Sequence, residues 1–200
     1  LEDDLLIVNI ACFKLYLLRG NELIWTTPVQ VGKPYHATPI FKSTMTYLVL
    51  NPTWTIPPGI LRNETLPRVR RDLAYLEQQN MSVVTSKGAV VDPATIDWDA
   101  PFRYAIRQEP GPGNALGRVK FIFPNEFFVY LHDTPSKGLF ARAERAFSHG
   151  CIRVQDPLVL AEILLQYGEG WDRIAIDETI AGGSTTTVFL PEPLTVMLLY

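Results

Sequence analysis

Alternation of apolar and polar positions rules both ends of the chain. Residues 5–10 form an apolar run of the fully buried type, Phe13-Lys14-Leu15-Tyr16-Leu17 alternates, and 23–31 and 47–50 are rich in β-branched and aromatic residues. Together they predict an antiparallel sheet. Arg19-Gly20-Asn21 has the turn chemistry of a hairpin. The two-residue period returns at 119–123 and 127–131 around Pro124-Asn125, which leaves His132 at the C-terminal end of the second of these strands. Residues 188–190 and 194–200 predict closing strands.

Between these ends the period changes. Pro57-Pro58-Gly59 breaks the chain; then Leu66, Val69, Leu73 and Leu76 recur at helical spacing. Pro67 falls near the first turn, where a missing N–H costs little, so a helix is predicted over about 65–79. Turn formers and short strands follow until Pro110-Gly111-Pro112-Gly113-Asn114 punctuates the chain again. The expectation is a mainly β (α+β) fold, a single domain over 1–200 whose sheet is interrupted by an insertion at about 57–113 and then completed. Asp156, as N-cap, and Pro157, at the first helical position, predict a further helix through Tyr167.

Composition then removes several classes of function. Two hundred residues, 47% of them hydrophobic, are enough to bury a real core. A net charge of -3, with basic residues scattered along the chain, leaves no electrostatic footprint for nucleic acid. No apolar run approaches the roughly 20 residues of a spanning helix, so no membrane contact is expected of this domain. The sequence opens without Met and stops inside a strand-like run, which reads as a piece cut from a longer protein. Its two cysteines are too few for a disulfide framework.

One of those cysteines stands in Phe147-Ser148-His149-Gly150-Cys151-Ile152-Arg153. A free thiol is only a few per cent thiolate at neutral pH, so a catalytic cysteine needs a base within reach or a positive local field. His149 and His132 are the two candidate bases. Gly150 lets the backbone come close to a reacting carbonyl, and main-chain N–H groups at 149–151 suit an oxyanion. Arg153 is by default a solvated charge or an ion-pair partner; functionally its planar fork suits a substrate carboxylate. Cys12 reads as a small hydrophobe within a strand pattern, and His36 as a surface residue. Trp54 and Trp98 suit stacking on sugar or peptide and suit a core role at least as well. A zinc site built from His132, His149 and Cys151 is the metal alternative, weakened because no second short-spaced ligand pair exists.

His132 followed at this spacing by Ser148-His149-Gly150-Cys151 resembles the signature of the L,D-transpeptidases of the YkuD type, which cross-link peptidoglycan. Tyr130-Leu131-His132-Asp133-Thr134-Pro135-Ser136 and Asn114-Ala115-Leu116-Gly117-Arg118-Val119-Lys120-Phe121 look like the larger Gram-negative branch that includes YcbB. Many members of the family carry Asn two residues after the Cys, where this chain has Arg153. The resemblance implies a β-sandwich with an inserted helical capsule subdomain. It implies Cys151 as nucleophile and His132 as base, Gly150, His149 and Ser148 around the oxyanion, and Arg153, Tyr130 and Asn114 toward the substrate. The implied reaction is attack on the L-centre carbonyl of diaminopimelate in a tetrapeptide stem, loss of D-Ala, and transfer to a second stem as a 3-3 cross-link. With water as acceptor the site would be an L,D-carboxypeptidase; without chemistry, a peptidoglycan-binding module. Donor and acceptor stems are the implied partners, carbapenem-type β-lactams the implied covalent inhibitors, and the periplasm the implied compartment. No metal or organic cofactor is implied.

Overall fold

A computed structural model describes residues 4–200. Four strands open the fold: β1 (Asp4–Asn9), β2 (Lys14–Arg19), β3 (Glu22–Gly32) and β4 (Phe41–Leu50). β2 and β3 pair from Arg19 opposite Glu22. The two residues between, Gly20 and Asn21, both have positive φ (53° and 71°), the backbone that a tight hairpin of right-twisted strands requires. After an intervening unit come β9 (Val119–Ile122), β10 (Leu131–His132), β11 (Ala146–Ser148), β12 (Ile152–Val154) and the long β13 (Thr186–Leu199). Among the described residues these make a nine-stranded sheet in the order β11-β3-β12-β10-β9-β4-β13-β1-β2, and β2 also pairs with β3. The sheet therefore closes on itself around one hydrophobic core, to which almost every strand contributes.

The intervening unit leaves and rejoins the sheet at neighbouring strands, because β4 and β9 pair through Leu50 with Val119 and Val49 with Lys120. It holds β5 (Trp54–Thr55), β6 (Met81–Val84), β7 (Val90–Val91) and β8 (Ala105–Gln108) in a second sheet ordered β5-β8-β6-β7. Beside that sheet lie α1 (Pro58–Ile60), a π-turn (Leu61–Thr65), α2 (Leu66–Arg71) and α3 (Ala74–Gln78). Ile56, Leu66, Val69, Leu76, Val83 and Ile106 form its own buried cluster, separate from the main core.

Three expectations change here. The helix predicted over 65–79 is broken: Asp72 is extended (φ -152°, ψ 109°) and its Oδ1 accepts the Ala74 N–H at 2.9 Å, so the side chain competes with the helical ladder. The strand predicted over 127–131 shrinks to β10, because Asn125 Oδ1 accepts the Phe127 and Val129 N–H groups at 3.1 and 3.0 Å and ties the segment into a loop. The helix predicted from Asp156 forms as α4 (Pro157–Leu165), but Asp156 accepts from the Thr27 hydroxyl and makes no cap hydrogen bond. α5 (Arg173–Ala181), which the periodicity did not predict, is capped by Asp172 Oδ1 on the Ala175 N–H at 2.8 Å.

Candidate active site

Three short strands set the site. Leu131 stands opposite Phe121 on one side and Ile152 on the other, and all three are fully buried in the core. One residue further along β10 every side chain faces the other way, so His132 has Lys120 on β9 and Arg153 on β12 as its cross-strand neighbours. Arg153 in turn stands opposite Gln30 of β3, and its Nη1 donates to Gln30 Oε1 at 3.2 Å. The apolar row anchors the strands; the next row holds Lys120, His132 and Arg153.

Cys151 lies one residue before β12. It lines, with His132, Tyr130, Arg153 and His149, a cavity of about 570 Å³ that Glu64 of the π-turn also lines. Its thiol is half-buried and makes its contact with the Phe128 carbonyl at 3.8 Å; among the described residues no hydrogen bond joins Sγ to His132. Burial pushes this thiol up, while Tyr130 and the charges of Lys120 and Arg153 pull it back down.

His132 is held in one tautomer. Its Nδ1–H donates to the Asp133 carbonyl, which leaves Nε2 without a proton. Burial, with the positive charge of Arg153 next and smaller contributions from Lys120 and Lys137, pushes its pKa down to about 3 against the pull of the Asp133 carbonyl. It is a neutral imidazole, the form a general base needs. Asp133 is itself braced: its Oδ2 accepts the Arg118 N–H at 2.9 Å and its Oδ1 meets the Lys137 ammonium. Gly117 makes room for that carboxylate, since a Cβ there would stand 2.3 Å from Asp133 Oδ2.

The turn that presents the thiol is built around Ser148 and Thr38. Ser148 Oγ donates to the Cys151 carbonyl at 2.6 Å and accepts the Gly150 N–H at 3.1 Å. Thr38, buried, accepts from the Gly32 N–H at 2.9 Å and donates to the Gly150 carbonyl at 2.7 Å. Gly150 has φ +117°, a backbone that L side chains rarely adopt. Its N–H is therefore committed to Ser148, whereas the Cys151 N–H carries no partner among the described residues.

The remaining sequence-predicted residues separate into two groups. Tyr130 and Arg153 face the cavity, and the Arg153 Nε is buried with no hydrogen-bond partner. His149 lies on its rim, where Nε2 meets Glu64 Oε1 at 3.0 Å and the ring stands 5.1 Å from that of His36. Asn114 does not reach the cavity: it is buried, its Nδ2 donates to the Pro52 and Glu109 carbonyls, and its Oδ1 accepts the Leu116 N–H. It ties the returning chain in place, a correction to its assignment to the substrate. His149 faces Glu64, and among the described residues no three of His, Cys, Asp or Glu come together as a metal site. Sequence reasoning missed Lys120, Thr38 and Glu64; their places depend on register and turns that leave no local signal.

A family model described as the L,D-transpeptidase catalytic domain (YkuD) matches residues 3–185. A protein of Haemophilus influenzae named "Putative L,D-transpeptidase" is 39% identical over 196 residues, covering 96% of this chain and 40% of its own length. The chain thus spans about two fifths of that relative. Among solved structures, an L,D-transpeptidase from Mycobacterium smegmatis (14% identity, TM-score 0.40, 99% of this chain and 59% of the other) is similar. So is L,D-transpeptidase 3 from Mycobacterium tuberculosis (12%, TM-score 0.44, 99% and 61%). At such values these structures add nothing to what the family model and the sequence relative establish. The chain belongs to the YkuD family of L,D-transpeptidase catalytic domains.

Proposed function

We propose that this domain is a cysteine L,D-transpeptidase acting on peptidoglycan stems. The observation that supports it most is that Cys151 and a neutral, tautomer-held His132 line one cavity. In the reaction the thiol leaves the Phe128 carbonyl for the imidazole, Nε2 takes the S–H proton, and the thiolate attacks the L-centre carbonyl of diaminopimelate in a tetrapeptide stem. The Cys151 N–H meets the oxyanion. Collapse of the tetrahedral adduct breaks the amide bond; the imidazolium returns its proton to the departing D-Ala amine, and a thioester remains. An acceptor-stem amine then attacks the thioester with His132 as base, which regenerates the thiol and forms a 3-3 cross-link. Arg153, with an unpartnered Nε, is suited to a stem carboxylate.

The unit inserted between β4 and β9 supports a place in the larger branch of the family. On this reading the domain works in the periplasm, where polymerised peptidoglycan lies. The test is to incubate the protein with a purified disaccharide-tetrapeptide and weigh the products. Dimer minus one D-Ala is expected; tripeptide would mean a carboxypeptidase, and saturable binding without turnover a binding module. A carbapenem should add one covalent equivalent that Cys151→Ala abolishes and Cys12→Ala does not. An adduct on the variant lacking both cysteines would overturn the assignment.

A further inference from the structure

Lys120 has no place in the mechanism above, yet it stands in the same cross-strand row as His132 and Arg153. Side chains directly opposite one another on one sheet face are close neighbours, so the row presents two cations flanking one imidazole. Lys120 is half-buried and its Nζ sits 3.7 Å from the centroid of the Tyr130 ring. It makes no ion pair among the described residues; the adjacent carboxylate, Asp133, is engaged by Arg118 and Lys137. A half-buried ammonium supported only by a ring face is a charge awaiting an anion.

The groups around it narrow the choice of anion. β10 presents Tyr130 and His132, β12 presents Arg153 with Cys151 just ahead of it, and β4 presents Val49, which carries no charge. The cavity is also lined by His36, His149 and Glu64, the last already held by His149. The group next to Tyr130 that becomes an anion during the reaction is the Cys151 sulfur. Burial lowers the Lys120 pKa and the charge of Cys151 raises it, an interaction that also appears on the thiol.

We propose that Lys120 is a positioning residue whose ammonium, held on the face of Tyr130, is the counter-charge for the Cys151 thiolate. This rests on the reading of Cys151 as nucleophile. It removes a difficulty: His132 is too buried to be a comfortable cation, so the thiolate needs a second positive partner.

The test reads the thiol without peptidoglycan. In a Cys12→Ala background, iodoacetamide alkylation of Cys151 is followed by intact mass from about pH 6 to 10, around the ordinary thiol value. Lys120→Met should raise the midpoint by about one pH unit, which is roughly tenfold slower alkylation on the acid limb. Lys120→Arg should stay near the parent. An unmoved midpoint in the Met variant, or an Arg variant that shifts as far as Met, overturns the proposal, the second because packing and not charge would then be at work. Should thermal unfolding show the Met variant to be misfolded, Lys120→Gln is read in its place. A shifted midpoint in a protein that makes no cross-links would sink the transpeptidase reading alone, and cross-linking with an unmoved midpoint would sink only the role of Lys120.

Discussion

The cavity has a floor and a roof of different construction. Its floor is Cys151, His132 and Arg153, on or beside strands that are paired on both sides and backed by Phe121, Leu131 and Ile152 in the main core. Its roof is the edge from Pro57 to Glu64, carried by α1 and a π-turn on a unit with a small core of its own. On the proposed mechanism the floor groups exchange a proton and must be held to a fraction of an ångström, which a paired sheet over a large core does. On the proposed function the roof must let a polymeric substrate in and out, which a small, separately packed unit with an irregular helical turn suits. Where the two meet, the contact is polar and exposed, His149 on Glu64.

The largest effect should follow from removing the floor's base. His132→Asn should lower transpeptidation roughly 10²- to 10⁴-fold, read as the rate of dimer formation. The same variant tests the pH linkage. Between the unfolded-state value near 6.5 and about 3, the unfolded chain takes up a proton that the native protein refuses. Stability should therefore fall as pH is lowered through that window, and the loss should level off below it. Urea unfolding at several pH values should show this component in the parent and not in His132→Asn. Equal slopes would mean that the imidazole is not held neutral.

Core truncation separates floor from roof next. Leu131→Ala should cost about 2–5 kcal/mol of global stability, because the fully buried side chain holds β10 between Phe121 and Ile152. Val69→Ala removes less volume from the small cluster and should open the roof locally. Hydrogen exchange should then speed up within residues 54–108 while the amides of β9, β10 and β12 keep their protection. If both variants melt as one cooperative unit with equal loss of protection everywhere, the distinction between floor and roof fails.

How much of this was legible beforehand follows the range of the interactions. Cys151 and its Ser148-His149-Gly150 neighbours are contiguous, and His132 ends an apolar run, so their chemistry stands in the local pattern. Lys120 lies within a recognisable motif, yet only the β9–β10 register puts it beside His132. Asn114, a polar residue near a motif, suggests a substrate ligand, whereas its amide is spent on backbone carbonyls in the interior. β5 and β7 have two residues each, too short to carry any period. Asp72 and Asn125 each broke a predicted element by capturing backbone N–H groups, an outcome that apolar spacing does not record.

A smaller effect is expected behind the floor, at Gly117. Its φ of +62° disfavours any side chain, and a Cβ would collide with the Asp133 carboxylate. Gly117→Ala should cost about 1–3 kcal/mol in strain. It should also slow acylation by a carbapenem, since Asp133 supplies the carbonyl that orients His132. Stability lost with an unchanged acylation rate would mean that the brace and the base are uncoupled.

The smallest effect should come from the joint between the two regions. Glu64 and His149 are both substantially exposed, with side-chain exposures of 45% and 36%, and water screens such a pair. Glu64→Gln keeps a hydrogen-bond acceptor for the imidazole and removes the charge, so global stability should change by less than about 1 kcal/mol. The consequence should instead show in substrate entry: a looser roof alters the KM for the tetrapeptide by roughly two- to threefold while kcat holds, because no floor group has moved. A large fall in kcat with unchanged KM would place Glu64 in the chemistry and erase the division of labour between floor and roof.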